Sequence, residues 1–249
     1  MSEQRELTGR VALVTGAARN IGRAIALSLA EAGAAVVINT RASRTEAEAV
    51  AQEIEERQGR ALVALADVTE EDAVRGMMDA TLAKFGRLDI VVNNAAVRRE
   101  RPIEKMDLAE FRSVVALILE GAFLTTRAAL PALKRSDGAA IINIGGMTGH
   151  SGAAERAHVV AGKAGLVGLT KALAHELSGA GITVNCVVPG LIDTVRTGGI
   201  PTVHKRNPPL VGRLGRPEEV AAMVRHLVGP HGRFITGQTI HVNGGSYLP

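Results

Sequence analysis

Gly16, Asn20 and Gly22 stand in the run TGAARNIG, between the apolar stretch Val11–Thr15 and the helix-periodic stretch Ile21–Ala32. A glycine-bearing turn between a buried strand and an amphipathic helix is where a pyrophosphate settles on backbone N–H groups and the positive end of a helix. Gly16 permits the tight turn, and Gly22 lets the helix approach the sheet. Asn20, flanked by Arg19 and Ile21, occupies the place where a third glycine is expected. Asparagine is the side chain that best tolerates positive φ after glycine, so the turn survives the change. Taken alone, the same pattern also serves an ordinary structural strand–turn–helix.

Charge decides which dinucleotide such a turn would take. Proteins of this architecture that hold NAD place an acid at the end of the second strand for the ribose 2′-OH, and that acid repels a 2′-phosphate. Here the second apolar run ends Asn39, Thr40, Arg41. No carboxylate stands there, and Arg19 in the turn faces the same corner. Two guanidinium groups can clamp a phosphate by charge-assisted bonds, which favours NADP(H) over NAD(H). The competing reading leaves either arginine merely solvated.

The elements that must position these residues alternate from end to end. Strands read as Val11–Thr15, Ala35–Asn39, Ala61–Ala66, Ile90–Asn93, Ala140–Ile144, Thr183–Val187 and Thr239–Val242. Helices read near Ile21–Ala32, Thr45–Gln58, Glu71–Phe85, Leu108–Leu117, Ala122–Leu133, His158–Leu177 and Pro217–Val228. Such alternation predicts an α/β, doubly wound, Rossmann-type fold: a seven-stranded parallel sheet with helices on both faces. Residues 1–249 suit one domain. The irregular stretch Ile192–Arg213 carries three prolines and two adjacent glycines and reads as a flap.

Composition removes several function classes. Aromatics are 2% of the chain and glycine numbers 28, so the core must be built from Ala, Val, Leu and Ile at close range. The lone Cys186 cannot form an internal disulfide, and the N-terminus lacks a signal-type apolar segment, so a cytoplasmic protein is expected. No apolar stretch is expected to reach the roughly 18 residues that a membrane span needs. The formal charge of +4 is spread among 25 acids, without the basic run and stacking aromatics that nucleic-acid binding uses. No metal-ligand cluster and no paired carboxylates appear near the turn.

The whole chain resembles the short-chain dehydrogenase/reductase family, and within it 3-oxoacyl-ACP reductase-like members. The markers are Thr15–Gly22, ADV at Ala66–Val68, NNAA at Asn93–Ala96, Lys163, VVPGLIDT at Val187–Thr194, GRLGRPEEVA at Gly212–Ala221 and ITGQTIHVNGG at Ile235–Gly245. The resemblance implies that Asp67 and Val68 contact adenine and that Asn93 and Ala95 lie against the riboses. It places Pro189 and Gly190 at the cofactor, with Ile192 and Thr194 against the nicotinamide carboxamide. Ala96 stands where the family usually has glycine.

The family usually reduces carbonyls with Tyr as acid, Ser holding the carbonyl oxygen, Lys lowering the Tyr pKa and binding ribose, and Asn anchoring a relay water. In this chain the Asn position is Ile118, the Ser position Gly146 and the Tyr position Val159, while Lys163 is kept. Removing a general acid typically costs about 10²–10⁴-fold, so ordinary reduction by this route is not expected. Substitute donors lie nearby. His158 precedes the vacated Tyr position and His150 follows Gly149, and an imidazole donates a proton at neutral pH. The catalytic candidates are therefore Lys163, His158 and His150.

Two functions compete on these residues: an NADP(H)-dependent oxidoreductase with a non-standard proton donor, and a non-catalytic cofactor sensor or silent subunit. Arg98, Arg99 and Arg101 after the fourth strand, with Arg196, Lys205 and Arg206 in the flap, would suit a small anionic substrate. Solvated loop charges are the plainer alternative. Ala161, Gly162, Ala164, Gly165 and Gly168 would let a helix of a second copy approach closely, so a homodimer or homotetramer is expected.

Overall fold

A computed structural model of the protein describes residues 5–195 and 208–249. Seven parallel strands form one sheet in the order β3-β2-β1-β4-β5-β6-β7. They are β1 (Val11–Val14), β2 (Ala35–Thr40), β3 (Arg60–Leu65), β4 (Ile90–Asn93), β5 (Ala140–Ile144), β6 (Thr183–Pro189) and β7 (Thr239–Val242). Strand order reverses beside β1, which pairs Val14 with Ile38 of β2 on one side and with Val92 of β4 on the other. That reversal opens the crevice in which doubly wound sheets hold ligands.

The α-helices among the described residues are α1 (Asn20–Glu31), α2 (Arg44–Glu56), α3 (Glu71–Phe85), α4 (Leu108–Val115), α5 (Gly121–Leu133), α6 (Thr148–Ser151), α7 (Ala157–Leu177) and α8 (Pro217–Val228). On one face of the sheet, Val14, Val36 and Ile38 pack with Ile25 and Leu29 of α1, Ile54 of α2 and Val224 of α8. On the other, Leu13, Val37 and Val91 pack with Met77 of α3, Leu133 of α5 and Leu177 of α7. Each strand thus feeds both faces at a period of two, as the sandwiched parallel sheet requires. The expected doubly wound fold with helices on both faces is the one observed.

Three local differences bear on the site. β6 continues to Pro189, so its carboxyl end reaches further than the apolar run suggests. His150 lies in the short helix α6, an element absent from the helices expected above. Between α4 and α5 the chain does not break but passes through a π-helical turn, Ala116–Glu120, that contains Ile118. Such bulges widen a helix by one residue and often mark functional positions.

The continuous helical run Leu108–Leu133 spans 26 residues and is apolar enough to cross a membrane by length and composition, which corrects the expectation that no stretch would be. The reason is architectural: α5 lies on β4 and β5 and beside α3, and the π turn lies against α7, so one helix serves two packing layers.

Candidate cofactor and active site

Gly16 adopts φ +62 and Asn20 φ +53, so the β1–α1 turn contains two left-handed residues. A side chain at Gly22 is excluded outright, since its Cβ would lie 2.3 Å from the Gly16 carbonyl oxygen and 2.5 Å from Asn94 Nδ2. Asn94, inside NNAA but not among the expected site residues, ties the end of β4 to the end of β1. Its Nδ2 donates to the Thr15 and Gly16 carbonyls at 2.8 and 3.0 Å. In return the backbone N–H groups of Asn94 and Ala95 donate to Thr15 Oγ1 at 2.9 and 3.0 Å. The signal that could have revealed Asn94 is the pair Thr15 and Asn94, each at the end of one of two neighbouring strands.

Asn20 does more than tolerate its backbone angle. Its Oδ1 accepts the Val195 N–H at 3.1 Å, which draws the segment after β6 over the turn. That segment is anchored on its far side, where the Asp193 N–H donates to the Gly215 carbonyl at 2.7 Å and Gly215 N–H to the Leu191 carbonyl at 3.0 Å. Ile192 is buried beneath it, and Thr194 Oγ1 receives Arg98 at 3.4 Å, joining this strap to the loop after β4. Of the flap, residues 196–207 lie outside the described residues, and with them Arg196, Lys205 and Arg206.

At the corner beyond β2, Thr40 is buried, while Arg19 and Arg41 are exposed. The Arg41 guanidinium stands 3.7 Å from the Asp67 carboxylate. Partial burial pushes the Asp67 pKa up, but the Thr69 N–H and hydroxyl together with Arg41 outweigh it and hold the group ionised. Val68 is buried against Gly121, whose absent Cβ would lie 2.8 Å from Val68 Cγ2. Asn93 turns into the core: its Nδ2 donates to Thr126 Oγ1 at 3.1 Å and to Asn143 Oδ1 at 2.9 Å, and its Oδ1 is buried with no partner. The left-handed Gly16 and Asn20 of the turn, with exposed Arg41 next to buried Thr40 at the end of β2, fit a phosphorylated dinucleotide.

Ile118 and Val159, expected from the family resemblance at acid–base positions, have apolar surroundings. Ile118 and Val159 are buried together with Val114, Ala122 and Leu166 in one apolar cluster. Gly162 makes room for it, because a Cβ there would lie 3.0 Å from Ile118 Cβ. Gly165 does the same for Leu119 at 2.8 Å. Two of the five small residues expected to face another subunit are therefore occupied by contacts within the chain. Ala161, Ala164 and Gly168 remain as an exposed stripe on α7.

Lys163 projects from the same helix one turn after Val159 and is buried. Its Nζ donates to the Ile144 carbonyl at the end of β5, at 2.5 Å. Burial pushes its pKa down to about 8, with the Arg98 charge acting in the same direction. A Cβ added at Gly146 would meet Lys163 Cγ at an ordinary 3.5 Å, so this position has room for a small side chain.

The two histidines occupy separate surroundings. His158 is fully buried near the start of α7, where its Nδ1 accepts the Val159 N–H at 3.0 Å and its Nε2 has no partner. His150 stacks edge-on with His241, ring centroids 4.7 Å apart, and lies 5.9 Å from Tyr247. Burial lowers the pKa of His150, and Lys171 adds to the effect. Among the described residues, no hydrogen bond joins either histidine to Lys163.

At the rim, Arg101 pairs with Glu110 at 3.1 Å, and Arg99 is exposed. The buried Arg156 grips Glu100 with Nε and Nη2 at 3.0 and 2.5 Å, which fixes the loop after β4 to the start of α7.

Comparison with known proteins agrees with this geometry. Residues 16–247 match the family profile described as enoyl-(acyl carrier protein) reductase. A 3-oxoacyl-[acyl-carrier-protein] reductase of Synechocystis is 42% identical over 243 residues, covering 97% of this chain and 98% of that protein. A dehydrogenase/reductase from Sinorhizobium meliloti superposes with a TM-score of 0.93 at 36% identity, covering 98% of both chains. A short-chain dehydrogenase from Burkholderia cenocepacia, solved in complex with NADP, superposes at 0.91 with 35% identity, covering 97% of this chain and 99% of that one. Glycine turn, sheet order and near-complete overlap with these relatives together place the chain in the short-chain dehydrogenase/reductase family.

Proposed function

We propose that this protein is an NADP(H)-dependent oxidoreductase for a carbonyl or alcohol substrate, in which Lys163 takes over the proton donation that the family assigns to tyrosine. The observation that carries this reading is the contrast inside one site. The turn, the corner and Lys163 suit a dinucleotide, while Ile118 and Val159 lie in an apolar cluster. The NADP complex of the Burkholderia relative and the reductase activity named for the Synechocystis relative support it.

In this assignment the backbone of Gly16, Arg19, Asn20, Ile21 and Gly22 receives the pyrophosphate, and Arg19, Thr40 and Arg41 receive the 2′-phosphate. Asp67 and Val68 border the adenine. Asn93, Ala95 and Lys163 border the riboses, and Pro189, Gly190, Ile192 and Thr194 enclose the nicotinamide end. When bound, the cofactor supplies or accepts the hydride. The chain's own part is to exclude water and to hold a proton. Val159 removes the usual donor, so the nearest titratable group on that helix face is Lys163, one turn on. A donor with a pKa about 8 is well matched to neutral pH. His158 and His150 are the competing donors.

A pH profile of turnover on a substrate found from a carbonyl panel tests this. With Lys163 as donor, kcat falls as pH rises through about 8, because the ammonium must be protonated. A kcat that shows no such fall near pH 8 overturns Lys163 as the donor. The apolar packing of Ile118 against Gly162 favours a second reading, a silent or sensing cofactor binder, which would bind NADPH without turnover. The stripe Ala161, Ala164 and Gly168 suits close approach by a second copy in a homodimer or homotetramer. The exposed Arg99 beside Arg98 suits a small anionic substrate.

A further inference from the structure

At the amino ends of the parallel strands, opposite the crevice, Arg10 precedes β1, Arg87 and Asp89 precede β4, Ser136 and Gly138 precede β5, and Arg233 precedes β7. Doubly wound sheets hold their ligands at the carboxyl ends, so the dinucleotide reading makes no use of this group. Its central acceptor is Asp89, which is fully buried. A carboxylate offers about four lone-pair sites. Those of Asp89 receive the Val11 N–H at 2.8 Å, Arg87 Nε and Nη2 at 2.9 and 2.6 Å, and the Ser136 hydroxyl at 2.5 Å. The acid is therefore saturated. Arg10 reaches it only as an ion pair at 3.6 Å, and its Nη1 donates instead to Ser136 Oγ at 3.2 Å. Arg233 donates Nη2 to the Gly181 carbonyl at 3.1 Å, and among the described residues no carboxylate pairs with it.

The other ends of these two guanidinium groups meet over Gly138. A Cβ at that residue would lie 2.2 Å from Arg233 Nη1 and 3.0 Å from Arg10 Nη2, so both nitrogens stand within 3.0 Å of one point. Gly138, at φ +106, puts no side chain between them. Like charges this close repel, and the buried acid at hand already serves Arg87. Asp137, in the same turn, is exposed and forms no ion pair with Arg10 or Arg233 among the described residues. We propose that Arg10 and Arg233 form a site for a free tetrahedral oxyanion of the phosphate type, bridged between Arg10 Nη2 and Arg233 Nη1. Guanidinium groups bind such oxygens by charge-assisted hydrogen bonds, and one anion has oxygens enough for both. Arg233 is exposed and Arg10 partly so, which lets the anion enter directly from solvent. The site stands apart from the oxidoreductase reading, because it lies at the other end of the sheet and needs no bound dinucleotide.

The test titrates inorganic phosphate into the full-length, isotopically labelled protein at neutral pH, with sodium chloride holding the ionic strength constant, and follows the Gly138 amide and Arg233 Nε–H resonances. Both should shift saturably in the wild type. Shifts that are absent, or that stay linear in phosphate, overturn the proposal. Arg233→Gln, read at the Gly138 amide, should weaken phosphate binding at least about tenfold, the loss expected with a hydrogen bond to a charged group. Unchanged affinity in that variant overturns the proposal as well. Arg41→Ala, at the opposite end of the sheet, should leave the Gly138 response as it is in the wild type. Loss of that response in Arg41→Ala would place the phosphate at the corner beyond β2 and overturn the site at Gly138, whereas its persistence leaves the dinucleotide reading to its own test.

Discussion

Ile118 and Gly162 are fitted to each other: the space that any Cβ at position 162 would need is filled by Ile118, 3.0 Å away. Gly162 on α7 leaves the room that Ile118 fills. Gly162→Ala should therefore be destabilising by about 1 kcal/mol, the overpacking cost of roughly 1–3 kcal/mol exceeding the roughly 1 kcal/mol that alanine gains over glycine in a helix. In an Ile118→Ala background the same change should become stabilising. Urea unfolding of the four proteins in this cycle checks the change of sign.

The corner formed by Arg19, Thr40 and Arg41 predicts tighter binding of NADPH than of NADH, measured by calorimetry. Arg41→Ala should narrow the difference by roughly 1–3 kcal/mol, the scale of a hydrogen bond to a charged group. Asp67→Asn should widen it, because Asp67 stands 3.7 Å from the Arg41 guanidinium and competes for it. Equal affinities for the two dinucleotides in the wild type would remove the assignment of this corner.

The fold was legible because it rests on local rules. Alternating apolar runs such as Ile90–Asn93 and Ala140–Ile144 coincide with strands, and Pro217 starts its helix as proline should. Asn94 was not legible, since its partners Thr15 and Gly16 are distant in sequence and come near only when β1 pairs with β4. His150 was legible as a residue but not as a member of a ring cluster with His241 and Tyr247, which needs the helix after β5 to meet β7 and the segment that follows it. The π turn at Ala116–Glu120 has no composition signal at all.

Lys163 should make stability depend on pH in the alkaline range. Its folded-state pKa is about 8 against an ordinary 10.5, so between these values the unfolded chain binds the extra proton. Stability from this group therefore rises with pH across that window, by at most about 1.4 kcal/mol per pH unit. Cys186 acts oppositely above pH 9, because its folded thiol stays protonated to about 11. The clean interval is pH 8 to 9. The free energy of unfolding should rise there in the wild type and be flatter in Lys163→Met.

His150 and His241 should act at the acid end. Burial lowers both pKa values from 6.5, with Lys171 adding for His150 and the neighbouring His150 for His241. Below about pH 6.5 the unfolded chain takes up protons that the folded cluster resists, so stability falls as pH falls. His150→Phe should keep the ring contact and make the loss between pH 6.5 and 5 shallower than in the wild type, measured by thermal melts. An unchanged acid limb would show that these rings do not titrate as a buried cluster.

The central claim is that the cofactor site is intact while the proton-transfer apparatus has been replaced. Its most direct test is the triple change Ile118→Asn, Gly146→Ser, Val159→Tyr, made on a protein first shown to fold and to bind NADPH as the parent does. Restoring the acid, the carbonyl-holding hydroxyl and the relay anchor together should raise NADPH-dependent reduction of an activated carbonyl by orders of magnitude, with each single change giving far less. A folded triple variant that binds NADPH like the parent and shows no gain on any carbonyl would contradict the account.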